Sequence, residues 1–362
     1  MRKLFKKLHL WLALPAGIVI TVTCLTGAIL VFQDEIQELC LPKRYTVSGY
    51  ENREPMSFAE LVPIVNAQLD DNEVASVQTY PHPKKTYRMG LKNGRRVTAF
   101  VNPYTGEVIA VSTFSKSFFG NVMMLHRWLM FEGKARQTGK VIVGVSTIFF
   151  VFILISGIAI WFPRNRKQAR QAFSIKWKSG RRRLWYDAHR VLGFYAALIL
   201  LMLALTGLMW SFSWYRDGVT NLLTKRDNKE TPPRSNIPRN GNTKTEEKNI
   251  DYTIWQHAIA SLPNDYKYAY VRVENGAISA LPLSAWHERA IDRFSFDKES
   301  GEITAFQPFL ERPARSNVMS INYILHTGKF GGFLVKVLMF LAALIGASLP
   351  VTGYWLWWRK RR

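Results

Sequence analysis

Four stretches of the chain, residues 10–32, 141–162, 191–214 and 333–358, are apolar almost throughout and contain no acid. Each reaches the roughly twenty apolar residues that a helix needs to cross a bilayer. In lipid, backbone polar groups must be satisfied within the segment, so each stretch is expected to be a helix. The hydrophobic fraction of 48% would suit a soluble protein as well. What excludes that class is the clumping of the apolar residues.

The net charge of +23 has a distribution that decides its meaning. Residues 1–7 carry +4, 163–190 carry +9 and 359–362 carry +4, while 34–120 balance to zero and 215–320 to +1. Short basic flanks alternating with long neutral loops follow the positive-inside rule, which places both termini and the middle loop in the cytoplasm of a multi-pass protein of a bacterial inner membrane. The basic balance is therefore topological, and no nucleic-acid partner is expected.

The first span is expected to stay uncleaved: its apolar run is too long for a secretory leader and no small-residue cleavage site follows. The two cysteines, Cys24 and Cys40, offer no disulfide framework, and no C-x-x-C-H is present for covalent haem attachment.

The resulting organisation has seven parts. They are a cytoplasmic start with the first span (1–33), an extracytoplasmic module (34–120), an interfacial helix with the second span (121–162), a basic cytoplasmic loop (163–188), the third span (189–214), a second extracytoplasmic module (215–320) and the fourth span with a basic tail (321–362). Within the first module, Ser57 and Glu60 form a capping box for a helix, and 74–111 alternates as strands with a turn at Pro103-Tyr104-Thr105-Gly106. The second module opens on a polar linker, 227–248, expected to be mobile. It then follows the same helix-and-strands plan to a turn at Asp297-Lys298-Glu299-Ser300-Gly301.

The plan repeats because the chain does. Gly106 and Gly301 are 195 residues apart, His126 and His326 are 200 apart, and Gly157 and Gly353 are 196 apart. The fold expected is an α-helical membrane protein with four transmembrane helices in a tandem duplication, plus two small α+β modules. His9 precedes Thr26-Gly27, and His189 precedes Thr206-Gly207, by seventeen residues in both cases. His126 and His326 open runs that end in Ser156-Gly157 and Thr352-Gly353.

The pattern LHLW…LTG, the turn VNPYTGEV, the run LHRW…SG…WFPR and their second copies resemble the PepSY-associated transmembrane proteins. These are iron-regulated inner-membrane proteins that include haem-containing ferrisiderophore reductases. The resemblance covers nearly all of the chain outside 227–248. It implies PepSY-like extracytoplasmic modules, iron-linked redox activity and haem as cofactor.

The histidines are compatible with that expectation. Two repeats of like orientation have their pseudo-twofold axis along the membrane normal, so His9 is expected to face His189 and His126 to face His326. Two facing imidazoles fill both axial positions of a haem iron, giving two non-covalent bis-histidine haems b. A histidine beside a span is also a common interfacial residue, and that alternative stays open. Arg127 and Arg190 follow two of the histidines, where a guanidinium can pair with haem propionates or serve only topology.

One length resists a simple picture. His326 lies thirty-two residues before Trp358, or roughly 48 Å of helix against a hydrocarbon core of about 30 Å. Either the outer pair stands above the interface or the helix breaks near Gly328, Gly331 and Gly332.

The expected function is transmembrane electron transfer to a ferric siderophore or similar iron chelate held by the outer modules. The donor is either a cytoplasmic reductant or a quinol, since 163–190 is too short for a dinucleotide domain and lacks G-x-G-x-x-G. Two alternatives remain. One is a quinol-linked b-type cytochrome. The other is a membrane-anchored binding or regulatory module without redox activity, in which His82, His257 and His287 would matter as much as the four.

Overall fold

The computed structural model describes residues 1–51, 53–163, 165–224, 250–263 and 267–361, and the linker expected at 227–248 lies outside them. The helices in chain order are α1 (Arg2–Val31), α2 (Gln33–Cys40), α3 (Pro42–Tyr45), α4 (Phe58–Asn66), α5 (Phe118–Trp128) and α6 (Ala135–Trp161). There follow α7 (Arg166–Ala172), α8 (Arg181–Ser211), α9 (Ser213–Thr224), α10 (Tyr252–Ala260), α11 (Ala314–Thr327) and α12 (Gly332–Arg361). The strands are β1 (Val74–Thr79), β2 (Tyr87–Leu91), β3 (Val97–Val101), β4 (Val108–Thr113), β5 (Tyr268–Glu274), β6 (Ala277–Pro282), β7 (Asp292–Phe296) and β8 (Ile303–Gln307). Two compact units result, one of Met1–Gln33, Phe118–Leu223 and Asn322–Arg362, the other of Asp34–Ser117 and Thr224–Ile321.

In the first unit, α1, α6, α8 and α12 are the four described helices long and apolar enough to span a membrane. Helix α1 packs against α6 and α12, and α8 closes the ring against the same two. The centre is lined by small and branched residues, among them Ala16, Ile20, Ile153, Ala196, Ala197, Leu200, Ala204 and Ala342. Small side chains let helix backbones approach, which matters in lipid because apolar burial there drives little association. The outward positions keep large apolar residues exposed, such as Trp11, Ile18, Leu198 and Val351, as a lipid-facing surface requires.

The long run between His326 and Trp358 does break. Helix α11 ends at Thr327, and Gly328 and Gly332 take positive φ of 74° and 64° before α12 begins. The first repeat breaks at the matching place, with Gly133 at φ of 53° and two residues that are not glycine, Leu129 and Met130, at φ of 56° and 59° between α5 and α6. The histidine-bearing helices α5 and α11 are thus separate from the spans that follow them.

In the second unit, strands β1–β4 and β5–β8 form two antiparallel meanders, preceded by α4 and α10 respectively. The capping box of α4 is formed as expected, with Ser57 and Glu60 each satisfying the other's backbone. The two turns of unlike sequence have one geometry: Gly106 donates to the Asn102 carbonyl and Gly301 to the Asp297 carbonyl, both at 2.9 Å. Both glycines have positive φ, 75° and 77°, where a side chain would be strained.

The sequence predicts two separate modules, and the structure differs here. Val77 pairs with Val273 across β1 and β5, joining the meanders into a single eight-stranded sheet of order β4-β3-β2-β1-β5-β6-β7-β8. The pairing removes two unsatisfied strand edges, which neither half could cover alone. Trp255, Leu61, Met89, Ile278 and Phe294 fill one continuous core beneath it.

Candidate metal-binding histidine pairs

All four duplicated histidines fall in the first unit, and they meet as two pairs. The rings of His9 and His189 stand 6.4 Å apart between centroids, at 79°. Those of His126 and His326 stand 6.2 Å apart, at 58°.

Each imidazole is held the same way by a helix of its own repeat. His9 Nδ1 lies 3.0 Å from the Ile153 carbonyl and 3.1 Å from Ser156 Oγ. His126 Nδ1 lies 2.9 Å from the Thr23 carbonyl and 3.1 Å from Thr26 Oγ1. In the second repeat, His189 Nδ1 meets Thr352 Oγ1 at 2.7 Å and His326 Nδ1 meets Thr206 Oγ1 at 2.9 Å. There too the carbonyl three residues before the threonine, of Leu349 or Leu203, lies close to the ring nitrogen.

The arrangement fixes the tautomer. A carbonyl only accepts, so Nδ1 must carry the hydrogen. Each hydroxyl is within bonding distance of a carbonyl of its own helix to which it can donate, as Ser156 Oγ to Ile153 and Thr352 Oγ1 to Leu349. Nε2 is left with its lone pair, the form in which imidazole binds a metal. The glycine after each Ser or Thr gives the ring room: a Cβ at Gly27, Gly157, Gly207 or Gly353 would stand 3.2, 3.4, 3.3 or 3.6 Å from the Cε1 of the histidine held there. Burial lowers His126 to about 4 and His326 to about 3, with the charge of Arg127 acting in the same direction, so both rings are neutral near pH 7.

The wiring has a consequence for the pairs. Every histidine is oriented within its own repeat, yet each pair takes one histidine from each repeat. Both pairs therefore sit where the two halves of the bundle meet.

The spacing suits one metal between two rings. A first-row metal about 2.0–2.1 Å from each nitrogen, with each nitrogen about 1.2 Å from its ring centre, puts the centroids about 6.4–6.6 Å apart when the three atoms are in line, and slightly closer when they are bent. A four-ligand zinc site does not fit, because the described residues contain no group of three or more His, Cys, Asp or Glu able to hold a metal.

The two arginines have different neighbours. Arg190 is fixed by Asp187 at 3.3 Å and by the Gln171 carbonyl at 2.6 Å. Asp187 is fully buried and also binds Arg183 at 2.9 Å and the Lys176 backbone at 3.3 Å. Sequence reasoning missed Asp187, although it is the one acid among the residues 163–190. Arg127 lies over the ring of Trp128, 5.3 Å from its centre. It also missed the Ser/Thr-Gly pairs as histidine cradles.

The remaining histidines belong to the second unit and do local work. His82 Nδ1 accepts from the Lys84 backbone, His287 Nδ1 accepts from the Arg289 backbone, and His257 Nδ1 donates to the Ser300 carbonyl.

A family described as the PepSY-associated TM region matches residues 6–360, nearly the full chain. No curated protein matches the chain.

Proposed function

Because the chain belongs to the PepSY-associated transmembrane family, we propose that it is a two-haem electron carrier that reduces ferric siderophore-type chelates on the extracytoplasmic side. The observation that carries the proposal is the pair of facing, Nδ1-anchored imidazoles at each of two levels in the bundle. A bound haem b supplies a one-electron Fe(III)/Fe(II) couple at each level.

What the chain supplies is position. His9 with His189, and His126 with His326, would each hold one haem through two imidazoles, which would leave oxygen and substrate no place on its iron. The levels are set by single helices: His9 and Thr26, which holds His126, are seventeen residues apart on α1, or roughly 25 Å at 1.5 Å per residue. That rise is close to the hydrocarbon thickness of about 30 Å. Between the levels, Ile20, Phe150, Ile153 and Leu200 pack into an apolar core that keeps water out.

With ligation closed, the chemistry left is outer-sphere transfer of one electron to an acceptor that keeps its own ligands, converting a ferric chelate to a ferrous one. Arg127 and Arg190 stand beside the outer and inner pairs, where they can hold haem carboxylates. The donor is a cytoplasmic reductant or a quinol. The charge pattern supports a cytoplasmic 163–190 loop in an inner membrane, so a reporter fused after residue 175 should read cytoplasmic and one after residue 80 should not.

The direct test is to reduce the purified protein with dithionite, remove the excess and add a ferric siderophore. The reduced α-band should vanish rapidly as ferrous iron appears. Persistence of the band with chelate in excess would refute the reductase assignment while leaving the haems in place.

A further inference from the structure

The two histidine pairs share a cradle but not an electrostatic setting. Beside the inner pair, Arg190 is answered by the buried carboxylate of Asp187. Beside the outer pair, Arg127 directly follows His126 and lies over the Trp128 ring. The guanidinium of Arg136 lies 4.0 Å from the centre of the Trp128 ring, the same ring that Arg127 covers at 5.3 Å. Lys140, one turn further along α6, senses Arg127, Arg216 and Arg136 together. Arg216, on α9, meets Asp217 at 3.3 Å. Among the described residues no carboxylate pairs with Arg136 or Lys140.

Four cations from α5, α6 and α9 therefore lie within reach of one another's charge, and one of them, Arg127, directly follows His126. Arg136 is exposed, and Arg127, Lys140 and Arg216 are half-buried, so the cluster is open to solvent. Its place is unusual for a membrane protein. Flanks on the extracytoplasmic side are ordinarily poor in Lys and Arg, yet residues 121–140 hold Arg127, Lys134, Arg136 and Lys140 against the single acid Glu132. Like charges held together raise the free energy of the folded state and focus a positive field that an anion relieves. Carboxylates of a bound haem could answer Arg127, which adjoins His126. They leave a reason wanting for Arg136 and Lys140 on the following helix.

We propose that this cluster docks the electron acceptor and selects iron chelates of net negative charge. The proposal rests on the reductase reading above and adds to it the substrate's charge and its place of contact. The one-electron balance is unchanged: the reduced protein loses one electron, and the docked Fe(III) chelate becomes Fe(II) without exchanging ligands with the protein.

The experiment uses full-length, haem-loaded protein reduced by dithionite, with two ferric probes followed by stopped flow at low salt. Ferric EDTA is the anion and ferrioxamine B the cation. The R136Q/K140Q variant is expected to lose about tenfold in its second-order rate with ferric EDTA, in the range of electrostatic steering, and to lose none with ferrioxamine B. Raising the salt should shrink the wild-type advantage toward the variant. If the double variant does not retain its haem, R136Q alone, at an exposed position, should show the same selectivity with about a threefold loss. Oxidation of wild type by neither probe would defeat the reductase reading and this docking site with it. Oxidation by both, with the variants slowed equally for the two probes or for neither, would defeat the docking site alone.

Discussion

The inner pair stands on helices that cross the membrane, whereas the outer pair stands on short helices that stop just after their histidines. His9 and His189 belong to α1 and α8, of 30 and 31 residues. His126 and His326 belong to α5 and α11, of 11 and 14 residues. The cradle that receives each ring is the same in all four places, so what differs is the carrier of the ring and the charge around it. Duplication has preserved the hydrogen-bonding solution while the two levels diverged in the helices that carry the rings and in the charges beside them.

The largest effect expected follows from that division. His326→Ala should halve the haem content, measured as pyridine haemochrome, and leave an inner haem that a cytoplasmic-side donor still reduces. His9→Ala should also halve it, but should leave an outer haem that only an added external reductant reaches. Equal donor access in both variants would contradict the assignment of levels.

A smaller effect is expected where a hydroxyl is removed but the carbonyl remains. Thr206→Val deletes the acceptor 2.9 Å from His326 Nδ1, and loss of such a supporting partner ordinarily weakens metal binding about 10–100-fold. Haem transfer to an excess of apomyoglobin should be faster by that order from the outer level alone. An unchanged transfer rate would show that the Leu203 carbonyl suffices.

The smallest effect distinguishes the cradles by their closeness. A Cβ at Gly27 would approach His126 Cε1 to 3.2 Å, while one at Gly353 would stand 3.6 Å from His189 Cε1. Gly353→Ala should be accommodated, helped by about 0.5–1 kcal/mol of helix propensity. Gly27→Ala should push the His126 ring and shift the outer haem's spectrum. If both substitutions are silent, the outer cradle is looser than its distances imply.

Much of this architecture is legible in the sequence, for identifiable reasons. Hydrophobic runs near twenty residues locate α1, α6, α8 and α12, and the offset of 200 between His126 and His326 predicts that equivalent residues meet. Ser57 with Glu60, and glycines at 106 and 301, announce a helix start and two turns through purely local chemistry. What escapes is non-local. The hydroxyl that holds His9 is Ser156, 147 residues away, and spacing along one helix carries no sign of it. The break between α5 and α6 turns at Leu129 and Met130, which are not glycine, before it reaches Gly133, whereas its counterpart turns at Gly328 and Gly332. The β1–β5 pairing depends on two edges that only the folded halves possess.

The central claim is that each repeat contributes one histidine to each of two haem sites. Its most direct measurement is the visible spectrum and haem count of the purified wild-type protein. The account predicts a strong Soret band, complete extraction of haem by acid-acetone and close to two haems per chain. A colourless protein would contradict it outright, and a count near one would remove His126 and His326 from the ligand set.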